Sequence, residues 1–129
     1  MNENWNRAQL LDAYLEYAAA REKGVSDEQY FWAVEAMWAV VERDADTAWL
    51  LLLEMLRRVD GDYMIAFIAA GPLEDFLIRH GARFLERIET EARTNPKFRR
   101  ALVGVWGESR MSEELVRRLR ALTEGEPPL

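Results

Sequence analysis

Apolar residues recur along most of this chain at intervals of three and four, the spacing of one helical face, and almost nowhere alternate as a strand requires. The first segment, about Asn6 to Lys23, sets Leu10, Tyr14, Tyr17 and Arg21 along one face, and Gly24 is placed to end it. Ser26-Asp27-Glu28-Gln29 then reads as a capping box for a helix running to about Arg43. The apolar stripe of that helix is predicted to hold Tyr30, Phe31, Val34, Met37, Trp38 and Val41. Asp44 or Asp46 can cap a third helix reaching Val59, apolar on nearly every side and therefore central.

The second half continues in the same register. Asp60-Gly61-Asp62 makes a turn with an aspartate available as N-cap. Tyr63 to Ala70 is wholly apolar; its Met and Ala content and its helical neighbours favour helix over a buried strand. Gly71-Pro72 is predicted to open a new helix with Pro at its first position, and Gly81 to close it after His80. A sixth helix spans about Ala82 to Thr94. Asn95-Pro96 starts a seventh, in which Phe98, Ala101, Leu102, Val105 and Trp106 follow one stripe until Gly107 ends it. Ser112 begins the last helix, with Leu115, Val116, Leu119 and Leu122 inward, and the tail 124–129 is expected to fray. The sum is an all-α fold of seven to eight helices: a compact bundle, or a short stack of antiparallel helical hairpins.

Length and charge narrow the function classes. The 129 residues, half of them hydrophobic and 31% charged, fit one domain, 1–129, with no interior linker. Net charge is −6, and the excess sits in the first half: residues 1–60 carry 12 acids and 6 bases, residues 61–129 carry 11 of each. A phosphate-tracking surface needs clustered cations, so no nucleic-acid partner is expected. The longest near-apolar run, Ala48 to Leu56, is about half a bilayer span and contains Glu54, so no membrane is expected either. Met1 to Trp5 lacks the basic and apolar regions of a secretory signal, and the chain reads as cytoplasmic.

Catalytic chemistry finds little material. There is no cysteine, one histidine, and only Ser26, Ser109 and Ser112 among the serines, each with a cap or turn role. No Gly-rich phosphate loop and no Glu-x-x-His pair occurs. The expectation is therefore no cofactor, no metal and no catalytic residue. One alternative pocket remains, built from Glu74, Asp75, Arg79 and His80 as acid–base groups. Helix geometry weighs against it, because His80 shares a face with Leu73, Phe76 and Leu77 while Asp75 and Arg79 form an outward i, i+4 pair.

The five tryptophans say more. Trp38, Trp49 and Trp106 fall on apolar stripes and are predicted to be core. Trp32 lies about 160° from Val34 on a helical wheel, beside Ala36, Ala39 and Arg43. Either its helix is sandwiched and buries two faces, or Trp32 is an exposed interface anchor. The late arginines, from Arg79 to Arg120, interleave with glutamates and read as a salt-bridged solvated face.

Two strings, Ala69-Ala70-Gly71-Pro72-Leu73-Glu74-Asp75-Phe76-Leu77 with Arg79-His80-Gly81, and Asn95-Pro96-Lys97-Phe98-Arg99-Arg100-Ala101-Leu102 with Gly104-Val105-Trp106, resemble a family of small bacterial helical domains of unknown function. The resemblance covers about residues 30–107. It implies a helical fold and a bacterial source and imports no catalytic residues. Phe76 stands where that family's pattern has leucine, a conservative change.

The functional expectation is a non-catalytic protein-binding module, in concrete form a toxin-neutralising, immunity-type protein. Its acidic first half would cover a basic partner through Trp32, Glu28, Glu35, Glu42 and Arg43. The alternative is a small hydrolase-like or ligand-binding domain around His80. A third is a homodimer with Trp32 packed across the two-fold axis.

Overall fold

The computed structural model describes residues 5–129, and among them there is helix, turn and coil but no strand. Eight α-helical stretches follow one another: α1 (Arg7–Glu22), α2 (Phe31–Arg43), α3 (Ala45–Arg58), α4 (Asp62–Ile68), α5 (Glu74–His80), α6 (Leu85–Thr94), α7 (Pro96–Leu102) and α8 (Glu113–Thr123). Four of the eight starts are set by a capping side chain. Asp44, Asn95 and Ser112 each accept a hydrogen bond from the backbone N–H three residues on, at 3.2, 3.1 and 3.2 Å. Gly24 ends α1 with φ +77°, a conformation that side chains disfavour.

The core is one cluster. At its centre Trp49 of α3 meets Phe98 edge-on at 5.5 Å between ring centres, and Phe76 meets Phe84 the same way at 5.0 Å. Phe76 and Phe98 are fully buried. Each such ring contributes about 2–3 kcal/mol by leaving water, and the edge-to-face geometry adds about 1 kcal/mol per pair.

Several expectations are corrected. Ser26 is not an N-cap: its hydroxyl donates to the Glu28 carboxylate, and Glu28–Tyr30 forms a 3₁₀ turn ahead of α2. The capping box is instead at α1, where Asn6 and Gln9 exchange side chain–backbone hydrogen bonds of 2.8 Å. No side chain caps α4; its N-cap is Gly61. Pro72 opens no new helix either. The chain runs from α4 through one π-helical turn, Ala69–Leu73, straight into α5, and the Glu74 N–H donates to the Ala69 carbonyl five residues back. A widened turn gives the proline ring room where an ordinary α-turn would set it against the carbonyl four residues earlier.

Trp38 and Trp106 are not core; they are 55% and 83% exposed. The buried side of α2 is Ala33, Ala36, Met37 and Val41. It is rotated from the predicted stripe because the alanines let neighbouring helices approach, leaving Trp38 outside. Trp106 turns out because α7 stops at Leu102, so the helical spacing that would have aimed it inward no longer applies. The tail is held rather than frayed. Arg99 pairs with Glu126 at 2.8 Å, Arg100 donates to the Pro127 and Pro128 carbonyls, and Leu129 packs on the core.

Candidate functional site

Glu35, Trp38 and Glu42 stand one above another on the outer side of α2, at i, i+3 and i+7, and all three are exposed. Trp38 is fixed from below: its ring meets Phe31 edge-on at 6.0 Å, and Phe31 in turn meets Tyr17 of α1 at 5.8 Å. Glu28, exposed on the 3₁₀ turn, lies just ahead of this face. Arg43 is exposed in the last turn of α2, where a cation complements the helix dipole.

Trp32 goes elsewhere. It is half-buried against the core and lines a surface groove of about 710 Å³ between α1, the 3₁₀ turn and the link from α3 to α4. Tyr30 and Trp32 form one side of it, Val59 and Met64 its apolar floor, and Asp12, Glu16 and Asp60 its rim. Arg58 is on the same rim and bonds Asp12 at 2.7 Å. Sequence reading found Trp32 because it fell off its stripe. It missed the carboxylates, whose only local signal is the i, i+4 spacing of Asp12 and Glu16 on α1.

The four residues of the alternative pocket are not brought together. The Glu74 carboxylate accepts from the Trp106 N–H at 2.8 Å and from Arg110 at 3.3 Å, pinning the loop after α7 onto α5. Asp75 and Arg79 pair with each other at 2.9 Å, as predicted. The His80 ring donates from Nε2 to the Val41 carbonyl at 2.7 Å and lies against Phe76 and Phe84. Of the four, Arg79 and His80 line a smaller groove of about 380 Å³ beside α8.

Beneath these features Tyr14 is buried, its hydroxyl 3.3 Å from where a side chain at Gly71 would begin. Burial, reinforced by neighbouring Tyr17, pushes the Tyr14 phenol far above its ordinary value and keeps it neutral. Among the described residues no group of three or more His, Cys, Asp or Glu is placed to hold a metal ion. No helix among them is long and apolar enough to cross a membrane.

A family model, described as a family of unknown function, matches residues 20–126. The chain belongs to DUF6869. The DUF6869 match takes in the outer face of α2, the π turn and the loop that Glu74 holds. It leaves out Asp12 and Glu16, so the α1 wall of the Trp32 groove stands outside the matched stretch. No curated protein and no solved structure matches the chain.

Proposed function

We propose that this DUF6869 chain is a non-catalytic protein-binding module whose docking face is the outer side of α2, and that its partner is a basic protein. The concrete form of the proposal is an immunity-type protein that neutralises a toxin by covering it. The observation that carries the reading is Trp38, 55% exposed between Glu35 and Glu42. A tryptophan held edge-on by Phe31 contributes large contact area at little entropic cost, which is what interface anchors do. Carboxylates on either side speed the approach of a cationic surface and discriminate against an anionic one.

The test is co-purification of the tagged chain from its native cells at low and high salt, with mass spectrometry of what elutes. The proposal expects one stoichiometric basic protein, released at high salt. Reversing charge at Glu28, Glu35 and Glu42 should slow its association steeply and flatten the salt dependence, whereas Trp38→Ala should hasten dissociation. An unchanged association rate in the charge-reversed variant would sink the reading.

A further inference from the structure

We propose that the groove at Trp32 is a second binding site, distinct from the outer face of α2, and that it takes the guanidinium of an arginine side chain presented by a protein. Trp32 and Trp38 are six residues apart, so they project from sides of α2 about 120° apart. A ligand in the groove therefore need not touch Trp38.

Size, aromatic content and charge agree on the ligand. A cavity of about 710 Å³ is within the range of sites that enclose a side chain or small organic group. Tyr30 and Trp32 both line it, and aromatic rings attract cations. Among the described residues three carboxylates, Asp12, Glu16 and Asp60, also line it, against one lining cation, Arg58. That cation is already bonded to Asp12. Lys97 comes within 3.6 Å of Asp60, but its ammonium donates to the Val59 carbonyl at 2.6 Å and it is not part of the lining. The wall thus stays net negative, with Glu16 in no ion pair among the described residues and the Asp60 side chain 99% exposed.

An anion would be repelled by this wall, and a neutral apolar group would strip water from carboxylates without replacing its hydrogen bonds. A guanidinium suits it better than an ammonium, because one planar group can stack on an aromatic ring while its N–H fork reaches a carboxylate.

The test uses the whole chain labelled with ¹⁵N and the tripeptide acetyl-Gly-Arg-Gly-amide as probe. The indole N–H signals are assigned by changing each tryptophan to phenylalanine in turn. The Trp32 signal should move saturably with the probe while that of Trp38 stays still. The same tripeptide with citrulline, a neutral isostere of arginine, should leave Trp32 unmoved. Glu16→Gln with Asp60→Asn, both at exposed positions, should weaken binding by about tenfold with the spectrum otherwise preserved. The proposal is overturned if the arginine probe leaves the Trp32 signal unchanged, if citrulline moves it equally, or if the double variant binds as tightly as the parent. None of these outcomes depends on the outer face of α2, so the two readings fail separately.

Discussion

His80 and Val41, 39 residues apart, are joined by a 2.7 Å hydrogen bond from the imidazole Nε2–H to the backbone carbonyl. Val41 is in the last turn of α2, where carbonyls lack partners within the helix. The only histidine of the chain therefore closes the end of one helix from the end of another, and because a carbonyl only accepts, its Nε2 carries the proton. His80→Ala should cost about 1–3 kcal/mol, as a half-buried carbonyl loses its donor and Phe76 loses a neighbour. Urea denaturation reads this as a lower midpoint at unchanged slope.

Glu74 acts as a clasp. Its carboxylate, 17% exposed, holds the Trp106 N–H and Arg110 from the first turn of α5. The glycine at 107 allows the close approach: a side chain there would begin 2.7 Å from Ile78 and 3.1 Å from the Glu74 side chain. Glu74→Ala should raise amide hydrogen exchange at Trp106 while exchange in the α3 core stays slow. Unchanged exchange at Trp106 would show that the loop is held by packing alone.

Glu89 supplies a pH dependence with a definite sign. The hydrogen bonds from Arg118 hold its carboxyl below the usual carboxylate range. The folded value is lower than the unfolded one, so between the two the unfolded chain binds more protons. The stabilisation is therefore complete above the unfolded value and is lost as the pH falls through the folded one. Glu89→Gln should be less stable than the parent near neutrality, and the difference should close in acid. A constant gap between the two stability curves would argue against it.

The tryptophans separate by burial. Trp49, packed on Phe76, Phe84 and Phe98, should cost about 3–5 kcal/mol when cut to alanine. Trp106→Ser should stay within about 0.5 kcal/mol of the parent. Single-tryptophan variants should show strong acrylamide quenching at Trp38 and Trp106 and little at Trp49.

What sequence reading reached was what adjacent residues decide. Asp44, Asn95 and Ser112 cap from three residues away, and the Asp75–Arg79 pair needs one helical turn. The all-α class followed from the spacing. Trp38 and Trp106 were misplaced because a wheel angle has meaning only once the partner helix and the helix end are known. The Trp32 groove draws on residues from Gln9 to Met64, four segments that nothing local brings together.

The π turn at Ala69–Leu73 has a consequence for how this part of the chain is spelled. From Met64 to Leu77 the buried residues come in pairs, 64–65, 68–69, 72–73 and 76–77, repeating every four positions, and half-buried His80 falls on the next beat. On an α-helix of 3.6 residues per turn, a strict four-residue repeat from 64 to 80 would drift by about 160° and leave the core. One residue absorbed in the wide turn cuts that drift to about 60°. The interval of four is thus the written form of the bulge. Deleting one residue there would restore an ordinary helix and swing Phe76, Leu77 and His80 by about 100°, out of reach of Val41.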